Sequence, residues 1–495
     1  MSFTFTVEKG ATGYVEATEE NLLSPLSSSF ARLRMSFYAD DAALFINPVK
    51  DEVSVVQRLL SIFGDISGLK TSFQKCVAYA VQGRNLDLDE LLADFAGIRS
   101  SLPCKYLGLP LGTRKPRRVD VQPLIDKIAG RLKSRKGKLL SRAGRLVLIN
   151  SVITASATYF LTSFRPDKWA IKKVDRLRRN FLWVGEEEAR GGKCMVNWKS
   201  VCVPKKYGGL GIKDITIFSR ALRLRWLWQK WLPDDRPSKG AMIPCDDEDL
   251  AVFQSCSEIY LGNGRSTSFW TDKWLGGEAP CVLAPQLFAI ARGKKISVNT
   301  AIIQRKWMRG LQAINTEEQA LAYIALWEKL QAVELTEDED VISWTRGPST
   351  VYSAKSAYHF HFLSRIPQPH LEKVWHIKSE GKIQFFLWLL LRNRLWTADR
   401  LLARQWDHND KCLLCDQVLE SADHLLLKCP YAKEVWHLGS FGGSHAVQAA
   451  RKHSIKAWWN KLSQVPKSNL MAQKDITLAA YVVWNIWKER NRRIF

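Results

Sequence analysis

The sequence has no dense, evenly spaced cysteine framework: ten cysteines are scattered over 495 residues, and only Cys412, Cys415 and Cys429 cluster. That excludes a disulfide scaffold and leads us to expect a reducing, intracellular setting, nucleus or cytoplasm, and no secretion. The amino terminus, MSFTFTVEKGATG, lacks the basic-then-apolar order of a signal peptide. No unbroken apolar run approaches the ~20 residues of a membrane span; the nearest is IQFFLWLLL at 383–391, flanked by charge. A soluble or peripherally bound chain without a membrane partner is expected. Fixed-period repeats and low-complexity tracts are missing too. Acidic residues are scarce, with 49 Asp plus Glu against 73 Lys plus Arg and a net charge of +24. Residues 1–37 hold no aspartate at all.

What is present is an ordinary globular share of apolar residues, 46%, with 20 tryptophans in short settings such as LRWLWQKW and VVWNIW. The positive charge is concentrated. Between Lys105 and Arg236 stand 31 Lys plus Arg against 10 Asp plus Glu, which places +21 of the excess in about a quarter of the chain. Such a field favours a polyanionic partner. Val121, Leu124, Ile125, Ile128 and Leu132 form one helical stripe. Ile171, Val174, Leu177 and Phe181 form another, opposite Lys172, Lys173, Arg176 and Arg179. LVLINSVITASATYFL, 146–161, is apolar almost all round and is expected at the centre of a bundle. A solvated helix face would mix charge signs for internal pairing. The one-signed run Arg131, Lys133, Arg135, Lys136, Lys138, Arg142 and Arg145 instead suits phosphate contacts with RNA or DNA, non-specific and salt-sensitive. For Trp183, Trp198, Trp226 and Trp228, core packing is favoured over stacking on bases.

In KCLLCDQVLESADHLLLKCP the spacing is Cys412-x2-Cys415-x8-His424-x4-Cys429. Cys-x2-Cys puts two thiolates on one knuckle, and a histidine and a cysteine farther on can close a tetrahedral Cys₃His shell for Zn²⁺. Four protein ligands leave no open position, so the ion is expected to be structural. His408 and His437 are rival ligands at poorer spacing. Arg392, Arg394, Arg400, Arg404, Lys411 and Lys428 nearby leave nucleic-acid contact open.

RLRMSFYADDAALFI reads as a β-hairpin with its turn at Asp40 and Asp41, followed by an N-cap at Asn47, Pro48 at the first helical position and a helix running toward Gly68. Adjacent aspartates in an alternating hairpin resemble the YADD motif of reverse transcriptases, in particular those of plant non-LTR retrotransposons. The likeness continues, in order, through SGLKTSFQKC, KYLGLPLG, LLSRAGRLVLINSVITASATYFL, NFLWVG, YGGLGI, LGNGRSTSFWTDKWLGG, YSAKSAYH and the Cys/His cluster, covering roughly 22–495.

The resemblance implies an α+β fold: a partial polymerase palm at 22–115 after an unmatched segment 1–21, a basic helical thumb-like domain at 116–235, a mixed α/β Trp-rich region at 236–350, the reverse-transcriptase zinc-binding domain at 351–440, and carboxy-terminal helices at 441–495. By the same likeness Asp40 and Asp41, with Tyr38, are catalytic remnants. Lys70 and Lys75 line the nucleotide site and Tyr106 lies in the turn that grips a primer terminus, although a solvated loop and a hydrophobic strand account equally for these three. Two-metal phosphoryl transfer needs a third carboxylate from another strand, so Asp40 and Asp41 are expected to hold Mg²⁺ only weakly. The expected function is a zinc- and nucleic-acid-binding reverse-transcriptase fragment without polymerase activity. The alternatives are an RNA-directed DNA polymerase completed by an upstream extension or another chain, and a non-functional pseudogene product. Oligomeric state is not legible.

Overall fold

Strand β1 (Met35–Tyr38) pairs antiparallel with β2 (Asp41–Leu44), Tyr38 opposite Asp41. The register leaves two residues between the strands, so Asp41 belongs to β2 and not to the turn. The computed structural model describes residues 23–24, 26, 35–38, 41–68, 70–81, 87–93, 95, 97–132, 136–186, 193–232, 243–439, 445–464 and 469–494. Asp40, Lys133 and Arg135 lie outside them. The chain divides into two units, Met1–Pro123 with Trp226–Pro244, and Leu124–Arg225 with Cys245–Phe495.

In the first unit, helix α1 (Lys50–Ser67) ends at Gly68, whose φ of 72° is the left-handed turn that glycine adopts without a Cβ penalty. Its start differs from the sequence expectation. Val49 is the N-cap and makes no side-chain cap bond. Asn47 instead donates to the buried Glu52 carboxylate, which also accepts the backbone N–H groups of Ser24 and Asn47. A carboxylate in the first helical turn thus gathers donors from two other segments, a stronger arrangement than one amide cap. Leu23 and Val56 are buried beneath it. Strands β3 (Val77–Tyr79) and β4 (Ile98–Ser100) pair in parallel, and β5 (Cys104–Tyr106) and β6 (Leu109–Leu111) form a second hairpin.

The second unit is largely helical. Helix α2 (Arg118–Leu132) belongs to it from Leu124 onward; of the stripe read from the sequence Val121, Ile125, Ile128 and Leu132 are buried and Leu124 is half-buried. Helix α3 (Arg142–Ser163), with a π turn at Ile149–Ile153, packs on α4 (Lys168–Val184). The expectation that α3 is enclosed on all sides is corrected. Ile149, Ile153, Ala157 and Phe160 are buried, whereas Val147 is 65% and Tyr159 52% exposed. This helix of 22 residues, with an 18-residue stretch of mean hydropathy 1.4, is by length and composition also long and apolar enough to cross a membrane. It is not an unbroken apolar run, because Ser151, Thr154, Ser156, Thr158 and Thr162 interrupt it. Their hydroxyls donate to carbonyls one turn back and satisfy themselves.

Farther along come α5 (Ile215–Gln229), α6 (Asp247–Ser255), β7 (Ser257–Tyr260), α7 (Glu317–Gln331) and β8 (Val341–Trp344), with β7 antiparallel to β8. Phe269, Trp270, Trp274 and Trp307 form one aromatic core with Leu287 and Leu326. The loop LGNGRST closes over it because Asp340 sits inside. Its carboxylate accepts the N–H groups of Gly262, Gly264, Ser266 and Thr267 and the Thr267 hydroxyl, at 2.8–3.0 Å. Asp340→Asn turns one acceptor oxygen into a donor facing those N–H groups. It is expected to cost about 2 kcal/mol, read as an earlier urea midpoint in tryptophan fluorescence; an unchanged midpoint refutes the role.

Helices α8 (Ala354–Phe360), α9 (Gly381–Leu391), α10 (Pro430–Leu438), α11 (Ile455–Ser463) and α12 (Leu470–Ile494) complete the unit. The apolar run at 383–391 is α9, buried from Phe385 to Leu390 and packed on α3, α11 and α12.

Candidate metal centre

The segment 411–419 folds back on itself. Lys411 bridges Leu419, the Cys412 N–H donates to the Val418 carbonyl at 2.8 Å, and Asp416 N–H donates to the Cys412 carbonyl at 2.7 Å. Asp416 has φ 54°, the left-handed conformation aspartate tolerates better than most residues. The turn leaves backbone N–H groups of Leu414 and Cys415 facing the Cys412 sulfur, and those of Gln417 and Val418 facing Cys415.

His424 opens a π turn, His424–Lys428, closed by the Cys429 N–H donating to the His424 carbonyl at 2.7 Å. Cys429 then caps α10, with Pro430 at its first position and the N–H groups of Tyr431 and Ala432 toward its sulfur. A helix N-terminus favours a thiolate.

These two pieces bring Cys412, Cys415, His424 and Cys429 together, with one ligand atom of each within 4.8 Å of the others. Sγ of Cys412 and of Cys429 are 3.9 Å apart, and Sγ of Cys415 lies 3.3 Å from Nε2 of His424. Tetrahedral zinc with sulfur and nitrogen ligands has edges of roughly 3.5–3.8 Å, so the donor set fits that ion in kind, and the 3.3 and 3.9 Å separations lie near those edges. Without a cation, burial pushes the Cys412 thiol up to about 12 and raises Cys429 as well. Burial acts against Cys415 too, yet the backbone N–H groups and neighbouring thiols bring it below the ordinary value. Burial lowers His424, which keeps its imidazole neutral and able to donate a lone pair. His408 and His437 are not among the four; His408 Nδ1 is 2.5 Å from the Trp406 carbonyl.

Sequence reasoning missed the supports around this group. Glu420 is 1% exposed and forms a two-pronged pair with Arg490 of α12, at 2.6 and 3.0 Å. The same carboxylate accepts the Ala398 N–H. Arg493 donates to the Leu413 carbonyl, and Asp423 accepts the Ile455 N–H at the start of α11. Only the position of Glu420 beside the cluster hinted at this, because Arg490 is seventy residues away.

The other candidates are dispersed. Asp41 is exposed, as are Tyr38, Lys70 and Lys75. The Tyr106 hydroxyl lies 3.1 Å from the Ser36 carbonyl and hydroxyl, tying β5 to β1. Arg131 donates to the Ser156 hydroxyl, and Lys138 pairs with Glu186 at 2.8 Å. Arg142 is exposed, while Arg145 is buried with Nε donating to the Gly137 carbonyl at 3.0 Å, the place of a structural clamp. Lys136 opens the helical turn Lys136–Leu139. Lys172, Lys173 and Arg176 are exposed on α4 and Arg179 half-buried, Lys173 lying over Trp169.

Comparison with known proteins places residues 352–436 in a match to the family described as zinc-binding in reverse transcriptase. The chain is 24% identical over 416 residues to an Arabidopsis thaliana protein named as a ribonuclease H protein, covering 75% of this chain and 64% of that one. It is 27% identical over 210 residues to the Xenopus laevis transposon TX1 uncharacterized 149 kDa protein, covering 42% of this chain and 15% of that one. No solved structure matches. The chain is therefore similar to a plant protein named for ribonuclease H and to a transposon protein, and residues 352–436 match the zinc-binding region of reverse transcriptases.

Proposed function

We propose that this chain is a zinc-stabilised, nucleic-acid-binding protein of reverse-transcriptase type, which on its own does not polymerise. The observation that carries the reading is the +21 excess between Lys105 and Arg236, part of which α4 presents to solvent as Lys172, Lys173 and Arg176. Phosphates neutralise such a face and release counterions, giving binding that is tight at low salt and indifferent to sequence. The names of the two relatives, a ribonuclease H protein and a transposon protein, support the same ligand class. The four-ligand cluster and the family match support zinc in a structural role, since no coordination position remains for a substrate. Ten cysteines outside any disulfide suit a nuclear or cytoplasmic setting.

Asp41 is exposed on β2, where the water it keeps makes a lone Mg²⁺ contact weak. The chain by itself is therefore expected to extend no primer. Binding to a 20-base-pair duplex and to single strands should weaken steeply between 50 and 200 mM salt, and Lys172→Ala with Arg176→Ala should each reduce the logarithmic salt slope by about 1. Retention that ignores salt sinks the phosphate reading. Templated nucleotide incorporation lost in Asp41→Ala sinks the non-catalytic one.

A further inference from the structure

A cavity of about 180 Å³ lies beside the end of α9, lined among others by Asn393, Arg394, Trp396, Arg400 and Arg404. Three arginines, Arg394, Arg400 and Arg404, are thus among its lining residues. Arg400 Nε is buried and has no hydrogen-bond partner among the described residues. The nearest carboxylate in sequence, Asp399, accepts the Thr397 hydroxyl. The unpartnered Arg400 Nε, with two further arginines at the lining, suits an anion, which accepts charge-assisted hydrogen bonds.

The aromatic wall is equally specific. Arg404 lies over the Trp396 ring at 4.4 Å, and Trp396 stacks on Trp406 with centroids 5.1 Å apart and planes 28° from parallel. Trp406 is nevertheless 41% exposed. Asn393 and Gln405, which flank this stretch, have φ 53° and 56°. Glutamine seldom adopts that left-handed conformation, and such backbone strain gathers at ligand sites.

We propose that this cavity is a phosphate subsite for single-stranded nucleic acid. One backbone phosphate enters among Arg394, Arg400 and Arg404, whose planar forks match its oxygens, and an adjacent base stacks on the open part of Trp406. The space admits a phosphate but not a base pair, and bases inside a duplex are already stacked on each other. The proposal rests on the nucleic-acid reading above and adds a place and a strand preference to it.

Fluorescence anisotropy of the full chain with labelled 20-nucleotide oligo-dT and oligo-U, and with a duplex of equal length, tests it. Arg394→Ala and Trp406→Ala are each expected to weaken single-strand binding about tenfold and duplex binding less than about twofold, while Trp406→Phe retains most of the affinity. Unchanged circular dichroism and zinc content establish that the variants fold. Single-strand binding equal to that of the parent chain in both alanine variants overturns the subsite and leaves the general reading standing. A parent chain that binds no oligonucleotide overturns both. Quenching of tryptophan fluorescence by inorganic phosphate, lost in Arg394→Ala but not competed by oligonucleotide, assigns the cavity to free phosphate and overturns the strand.

Discussion

Cys412→Ser and Cys429→Ser are each expected to release about one equivalent of zinc and to unfold the helices gathered around it. Both sulfurs are fully buried, and serine offers a harder oxygen on a shorter bond that does not reach the same point. In small zinc domains metal binding and folding are one free-energy change of about 10–16 kcal/mol, so losing one ligand of four removes much of what orders 411–429. Zinc analysis of protein purified under reducing conditions, with helical content followed during chelator titration, measures this. A parent chain that keeps its helicity when stripped of metal, or never contains zinc, refutes it. Cys415→Ser, at the more accessible corner, is expected to be milder.

Removing one partner of the Glu420–Arg490 pair is the second large effect. Glu420→Ala leaves a guanidinium that is 6% exposed without a counter-charge and takes the acceptor from the Ala398 N–H. Breaking such a buried pair costs about 3–5 kcal/mol. Glu420→Leu combined with Arg490→Met, which removes both charges, is expected to lose less than either single change. If the double variant is the least stable of the three by urea denaturation, the pair is not the fastening it looks like.

How much of this was legible depends on sequence separation. The Cys/His cluster could be read directly because its four ligands lie within 18 residues and their spacing states the chemistry. The stripes of α2 and α4 could be read because helical periodicity is local. Glu420–Arg490 and Asp340 with its loop could not, since nothing within one window of sequence says which distant donors a carboxylate will meet. The Asn47 cap failed for the same reason: a local rule competed with Glu52, which reaches donors at Ser24 and Asn47 together. Helix α3 was misjudged because composition counts apolar residues without saying which face meets α4. The inward turn of Arg145 lay beyond a charge count.

The π turn at His424–Lys428 sets a ruler for insertions and deletions. In an ordinary α-helix five steps of about 100° would swing Cys429 roughly 140° away from His424, onto the far side of the helix. The wider turn, closed from Cys429 back to His424, keeps both on the knuckle's side. The length of HLLLKC is therefore more constrained than its letters: exchanging one leucine for another apolar residue is tolerable, whereas one codon more or fewer between His424 and Cys429 dismantles the centre with every ligand still present.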